Sequence, residues 1–312
     1  MKCSECNRDA VAEIRPTKKQ LCDSCFLKLY EQRVRRNIAK NKMFTSKGER
    51  IAVCVSGGKD SLSLLNVLKD MHYDNIMCVT IDEGIRGYRS KTIPCVKKLC
   101  KRLGVPLHIY SFKDEYGFTL DDAAKNGRPC SYCGVLRRHL MNRAARQLRC
   151  TRLATGHNLD DESQAVLMNF FRGELQRMAR GGAVTGTTAD KLFVQRVKPL
   201  RVCSEKDDVV YALLKGIDYC DAECPYSGYA YRNAIRDALT AIEERHPGTK
   251  SACLNTYDKL VPILKEHYKD EKPNHCDCGE PTAGEECKVC QIRKEFSRAP
   301  SRRARRSARP RN

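Results

Sequence analysis

The sequence predicts an α/β protein, a parallel sheet wrapped by helices, with a small cysteine-rich module at either end. Three observations predict it. Short apolar runs alternate with helical stretches from residue 49 to about residue 171, the pattern of parallel strands joined by helical crossovers. The string Ser56-Gly57-Gly58-Lys59-Asp60-Ser61 follows the first apolar run and opens the first helix. Cysteines at knuckle spacing lie near both ends, at residues 3–25 and 278–290.

The chain has 312 residues, enough for one large or two modest domains. Hydrophobic residues make up 41% and charged residues 31%, a water-soluble composition. No apolar run approaches the ~20 residues of a membrane span. The opening MKCSECNRDA has no apolar h-region, so neither export nor a membrane is expected. The 19 cysteines are then read as metal or sulfur chemistry in a reducing cytoplasm, since an odd number cannot all pair within one chain. The net charge of +20 is uneven: residues 1–48 carry +7, residues 293–312 carry +8, and the stretch between carries +5. A nearly balanced core with basic ends suits a polyanion held at its flanks, or a solvated tail.

Residues 1–30 form the N-terminal module. Cys3-x2-Cys6 and Cys22-x2-Cys25 are fifteen residues apart, a structural-zinc spacing whose four thiolates leave no open position. Residues 31–48 read as a basic helical linker, part of a helical stretch carrying Lys28, Arg33, Arg35, Arg36, Lys40 and Lys42. Residues 49–200 form the core. Its strands are expected at 51–55, 75–82, 107–112 and 151–155. Its helices are expected from Leu62 onward and at 93–103, 135–149 and 161–171. Residues 173–200 are Gly- and Thr-rich and read as a mobile loop. Residues 201–268 read as mainly helical and carry Cys220 and Cys224. Residues 269–296 form a second zinc module from Cys278, Cys287 and Cys290, with either His275 or Cys276 as fourth ligand. Residues 297–312 are a basic, low-complexity tail expected to lack order without a partner.

Ser56–Ser61 joins a strand to a helix N-terminus. Glycines allow close backbone approach, and the helix supplies N–H donors with a favourable dipole. The string is not a Walker A loop. Gly156-His157 ends a later strand. Asp60 and Asp161 are candidate Mg²⁺ ligands; taken alone, Asp161 reads equally as a helix N-cap and His157 as a structural imidazole. Cys130-x2-Cys133 with a distant Cys224 or Cys220 fits three arrangements: a three-thiolate site with an open position, a third structural zinc, or a redox pair. Arg137 and Arg138 suit phosphate pairing or a solvated helix face. Tyr88 and Arg89 suit RNA stacking or ordinary packing.

SGGKDS resembles the pyrophosphate loop of the N-type ATP pyrophosphatase superfamily, which implies an adenine-nucleotide-α-hydrolase-like (PP-loop) core. Together with the two zinc modules, CxxCG and Glu223-Cys224-Pro225-Tyr226, it resembles the TtcA/TtuA group of tRNA thiolation enzymes. IDEGIRGYR (81–89), CGVLRR (133–138), TGHNLDDESQAVLMNFFRGE (155–174) and DYCDAECPY (218–226) look closest to the cytoplasmic tRNA 2-thiolation protein 1 branch. The resemblance implies an ATP site at Val53, Ser56, Gly57, Gly58, Lys59, Asp60, Ser61, Ile81, Gly156, His157 and Asp161, with Mg²⁺. It implies Cys130, Cys133 and Cys224 as ligands of a 4Fe-4S cluster or as persulfide carriers, with Asp60 and Asp161 in the catalytic set. The implied activity adenylates the C2 oxygen of a tRNA uridine, at wobble position 34 by branch, and replaces it with sulfur. A ubiquitin-like sulfur carrier is the implied donor, and a homodimer or a heterodimer with a paralogous subunit the implied assembly. The rivals are the same chemistry at T-loop uridine 54, a PP-loop enzyme that transfers no sulfur, and a non-catalytic zinc-ribbon tRNA-binding subunit.

Overall fold

The computed structural model describes residues 1–297 except 16, 126, 128, 186–189, 191, 230 and 270–273. The tail from residue 298 and the middle of the Gly/Thr-rich stretch thus lie outside the described residues.

The chain opens on an antiparallel hairpin, β1 (Ala12–Ile14) and β2 (Lys19–Leu21), lying between the two cysteine knuckles. Helix α1 (Asp23–Lys40) follows and runs unbroken through residue 30. Phe26, Tyr30, Val34, Asn37 and Ile38 are its buried side, while Lys28, Arg35, Arg36 and Lys40 are exposed. This is the amphipathic spacing of a helix docked on a core.

The core follows as β3 (Ile51–Cys54), α2 (Lys59–Asp70), β4 (Ile76–Asp82), α3 (Arg89–Leu103) and β5 (Leu107–Ser111). Two short helices, α4 (Phe112–Tyr116) and α5 (Leu120–Ala124), lead into α6 (Pro129–Gln147), β6 (Arg152–Thr155), α7 (Leu159–Phe171), α8 (Leu175–Ala179) and β7 (Gln195–Val197). Then come α9 (Glu205–Leu214), a 3-10 turn at Ser227–Tyr229, α10 (Tyr231–Arg245) and α11 (Thr249–His267). The small hairpin β8 (Asn274–His275) with β9 (Pro281–Thr282) and helix α12 (Lys288–Ser297) complete it.

Among the described residues the central sheet has the order β5-β4-β3-β6-β7, with every pair parallel. Strand alternation sends Ile51, Val53, Ile76, Cys78, Ala154 and Val197 into one core, and Ala52, Val79, Ile81 and Leu153 into the other. Burial on both faces is why these strands read as short continuous apolar runs. Cys3, Ile14, Leu21 and Cys22 belong to the first core, and Cys276, Cys287, Val289 and Ile292 to the second. Each terminal module is therefore docked on its own face of the sheet.

Four elements depart from the sequence reading. The five-residue helix α8 and β7 both lie in the stretch read as a loop; Gln195-Arg196-Val197 are too few to show a period, and α8 is barely more than one turn. α3 begins at Arg89 rather than Ile93 and holds Pro94 inside it, because the Arg89 side chain is anchored on Glu83. α6 begins at Pro129 rather than Val135. Pro129 is preset for a first helical position, and Gly134 does not break the helix.

The chain leaves β3 towards β4 and β5, and later fills the other side with β6 and β7. The crevice beyond the carboxyl ends of β3 and β6 is thus the topological switch point, where such sheets bind ligands. Cys54 pairs with Thr155, so the Ser56–Ser61 loop lies beside Gly156-His157. The fit is close: a Cβ on Gly156 would lie 2.9 Å from the Ser61 backbone nitrogen. Gly156→Ala is expected to lower stability by about 1–3 kcal/mol, as overpacking does. Urea unfolding followed by far-UV circular dichroism checks this.

Candidate active site

The Ser56–Ser61 loop is closed by its own hydroxyls. Ser61 Oγ accepts from the Ser56 N–H (3.0 Å) and donates to the Gly58 carbonyl (3.0 Å). Gly57 has φ +94°, and a Cβ there would lie 2.8 Å from Thr92 Cβ. Gly58 is the N-cap of α2, and no side chain caps the first-turn amides. Those N–H groups and the helix dipole form an anion site.

A cavity of about 450 Å³ opens at this point. Cys54, Val55, Ser56, Gly58, Asp60, Ser61, Val79 and Ile81 line one side. Thr155, Gly156, His157, Asp161, Arg89, Gly134, Arg137, Arg138, Met141, Arg196 and Arg232 complete it. Three expected residues are absent from the wall. Val53 points into the α2-side core, because strand alternation gives Cys54 the other face. The Gly57 carbonyl accepts from the Cys220 N–H (3.0 Å). The Lys59 ammonium lies 2.7 Å from Glu205 and 3.5 Å from Asp60. A second cavity of about 500 Å³ lies between α1 and α11, away from the strand ends. Its least exposed cations, Arg201, Lys250 and Arg33, are already paired with Asp258, Asp160 and Asp207.

Three carboxyls gather beside α2. Asn158, not Asp161, caps α7: its Oδ1 accepts from the Asp161 N–H (3.0 Å). The Asp161 carboxylate instead faces Arg232 (2.9 Å), and enclosure in the cavity pushes it up to about 6. Asp60 is raised by enclosure, and its Oδ1 is buried without a hydrogen-bond partner. Asp208, fully buried, accepts from Tyr30 Oη (2.7 Å) and Asn158 Nδ2 (3.2 Å). Burial and then the charge of Asp60 raise it well above the carboxylate range. The sequence reading missed Asp208, which looks like one more acid in the first turn of α9. Clustered carboxyls, with the Asp60 Oδ1 lacking a hydrogen bond and facing only the Lys59 ammonium at 3.5 Å, fit a divalent cation, which relieves their mutual repulsion. His157 Nδ1 lies 2.8 Å from Thr155 Oγ1. Enclosure, with Lys198 and Arg196 nearby, holds its imidazole neutral.

Glu83 is 1% exposed and meets two guanidinia. Arg89 contacts both its oxygens, at 2.6 Å for Nη2, and Arg137 Nη1 lies 3.6 Å away. Arg89 Nη1 also donates to the Ser56 carbonyl (2.8 Å). Arg89 is thus buried at 4% exposure and not free to stack on RNA; its role is to hold the loop.

Cys130 and Cys133 sit three residues apart at the start of α6, so they share a face. Cys130 is exposed, and its Sγ lies 3.4 Å from the Tyr226 carbonyl. Tyr226 Oη donates to Asp121 (2.8 Å), pinning the Cys224 loop beside α5. Burial and then the nearby Cys224 raise the Cys130 thiol; burial also raises Cys133, whose neighbours include Arg137, Glu83 and Cys224. Cys224 is thus a neighbour of Cys130 and Cys133, whereas Cys220 neighbours Cys95 of α3.

The terminal modules differ from this trio. The sulfurs of Cys3, Cys6, Cys22 and Cys25 lie within 4.8 Å of one another, as do those of Cys276, Cys278, Cys287 and Cys290. Four thiolates on one tetrahedral zinc stand roughly 3.8 Å apart, so both sets fit a single ion. His275 is outside its cluster, with Nε2 3.2 Å from Asp190. Backbone N–H groups from the Cys287 and Cys278 segments lower Cys276 to about 7, which favours the ligating thiolate. Cys130, Cys133 and Cys224 form no such one-ion group among the described residues. Wider spacing suits a cluster in which each thiolate holds a different iron.

Two measurements test these assignments. Zinc counting should find two zinc ions per chain in His275→Ala and one in Cys276→Ala. Glu83→Gln leaves two guanidinia without their carboxylate, and urea unfolding should show a loss of about 3–5 kcal/mol.

Residues 29–243 match the PP-loop domain family ATP_bind_3. The chain is 38% identical over 293 residues to the tRNA-5-methyluridine(54) 2-sulfurtransferase of Pyrococcus horikoshii, covering 94% of this chain and 93% of that one. It is 36% identical over 302 residues to cytoplasmic tRNA 2-thiolation protein 1 of Aspergillus niger, covering 93% and 86%. Among solved structures it resembles the U34-tRNA thiolase NcsA of Methanococcus maripaludis, which holds a [4Fe-4S] cluster. The TM-score is 0.81 and the identity 32%, over 95% of this chain and 96% of that one. With this fold, loop and cysteine arrangement, the chain belongs to the PP-loop family of tRNA 2-thiolation proteins.

Proposed function

We propose that this protein is an ATP-dependent tRNA sulfurtransferase that converts a uridine, foremost the wobble uridine at position 34, to 2-thiouridine. One observation carries the reading. α6 bears Cys130 and Cys133 within its first five residues, and Gly134, Arg137, Arg138 and Met141 of the same helix line the nucleotide cavity. Sulfur and the activated base would meet along one rigid element.

The α2 amides with Ser56 and Ser61 would hold the ATP phosphates. Asp60 and Asp161, with Asp208 behind them, would hold Mg²⁺, which neutralises the pyrophosphate leaving group. The uridine C2 oxygen attacks the α-phosphorus and pyrophosphate leaves. A sulfur nucleophile then attacks C2, and AMP departs with the former oxygen. Adenylation turns a poor oxygen leaving group into a good one. Neutral His157 is suited to accept or return a proton at the base. Arg137 adds positive charge beside both the cavity and Cys133, where anionic sulfur approaches adenylated uridine. Cys130, Cys133 and Cys224 would hold a 4Fe-4S cluster, which supplies an iron with an open position for incoming sulfide.

The position-34 reading is supported by the NcsA likeness and the branch motifs; position 54 is the second reading, favoured by the Pyrococcus relative. A ubiquitin-like sulfur carrier is the proposed donor, acting in the cytoplasm, with two zinc ions in the terminal modules. The assembly is a homodimer or a heterodimer with a paralogous subunit. Among the described residues no helix is long and apolar enough to cross a membrane.

Anaerobic purification should yield about four iron and acid-labile sulfide per chain with a broad visible absorbance. Cys130→Ala should lose the iron and the absorbance, and Cys220→Ser should keep both. Incubation with ATP, sulfide and unmodified tRNA, followed by mass spectrometry of nuclease fragments, locates the thiolated uridine. A gain of sulfur at position 54 alone would replace the wobble assignment. No gain, with no pyrophosphate release, would favour a binding subunit.

A further inference from the structure

Among the described residues, Arg138 and Arg196 are the cavity cations without an ion pair. The carboxylates around them are occupied: Glu83 by Arg89 and Arg137, Glu162 by Lys198, Asp161 by Arg232. Among the described residues neither Arg138 nor Arg196 has an ion pair, and Arg196 Nε is buried without a hydrogen-bond partner. Enclosure, then the charges of Arg196, Arg137 and Arg177, push Arg138 down to about 10, yet its side chain stays accessible through the cavity. Guanidinia that crowd together with no anion between them make a site that an anionic ligand completes.

Their location is an independent observation. Three cavities meet at these two side chains. One is the active-site cavity. The second, about 460 Å³, runs past Phe193, Thr282 and Lys288 beside the C-terminal module. The third, about 370 Å³, lies among α7, α8 and α11. The two arginines come from α6 and β7, whereas the phosphate donors of the Ser56–Ser61 loop belong to α2.

We infer that Arg138 and Arg196 bind a phosphodiester of the RNA strand, next to the nucleotide whose base enters the active-site cavity. The inference rests on the thiolation reading. A uridine C2 oxygen can reach ATP only if its base leaves the stack and turns into the cavity. The backbone beside that base then stays at the junction, and its phosphate is the charged group nearest the turn. Guanidinium forks match phosphate oxygens in pairs. The strand would lie along the cavity next to the C-terminal module and turn its base in between the two arginines.

The test is equilibrium binding of a uridine-containing RNA hairpin to the full chain, from about 50 to 200 mM salt. One arm replaces the phosphate 5′ or 3′ to the target uridine with a neutral methylphosphonate. Arg138→Gln and Arg196→Gln should each flatten the log K against log salt slope by about 1. A neutral phosphate at one of the two positions should do the same to the wild-type chain and nothing further to the variant in which both arginines are replaced by Gln. Affinity for a fluorescent ATP analogue should fall less than affinity for the hairpin. Loss of ATP affinity with an unchanged RNA slope would assign the arginines to the nucleotide instead. Unchanged slopes with a harmless neutral phosphate would overturn the inference outright. The methylphosphonate arm needs no substitution, so it decides the matter even if a variant fails to fold. Failure of the wild-type chain to bind the hairpin would overturn the thiolation reading itself.

Discussion

The active site depends on one buried carboxylate. Glu83 directly follows β4, and through Arg89 it reaches the Ser56 carbonyl in the PP loop. Through Arg137 it reaches α6, and its own carbonyl accepts from the Leu120 N–H (2.7 Å) at the start of α5. The loop, the cysteine helix and the short helix beside the Cys224 loop are therefore held to one strand end. In this low-dielectric setting two cations around one carboxylate are secure only while all three are present. The geometry of the phosphate loop and that of the sulfur site are not independent.

The second constraint is the sheet between two cores. Each terminal module closes one face, with buried cysteines that belong to the core as well as to a metal set. A bound ion in either module would fix the chain end and the docked helix together. It would also leave the carboxyl ends of β3 and β6 as the open side of the molecule. α1 and α9 bring Tyr30 and Asp208 under the loop from one face, and α6 brings thiols and arginines from the other. The cavity is therefore polarised. Acids cluster by α2, where a cation would offset them, and guanidinia with no ion pair among the described residues line it from α6 and β7. This suits a reaction that must hold a polyphosphate with its metal and a nucleic-acid strand at the same time.

Where chemistry rests on neighbours in the chain, the sequence by itself determined it. The Gly57-Gly58 turn at a helix start, the paired CxxC knuckles, and Cys130 with Cys133 are local patterns, fixed by backbone reach. The four apolar strand runs were legible because both faces of a parallel sheet are buried. β7 was not, since three residues carry no period. Only the tertiary structure decided which of two nearby cysteines lies beside Cys130 and Cys133. Cys224 does, because Tyr226 pins its loop to Asp121, while the Cys220 N–H is held on the Gly57 carbonyl. Cys276, not His275, converges with Cys278, Cys287 and Cys290, because the β8–β9 hairpin sets which side chain faces inward. Asp208, the Glu83 network and the Arg138–Arg196 pair were invisible for the same reason. Their partners lie tens of residues or more away or on different elements, and packing alone brings such groups together.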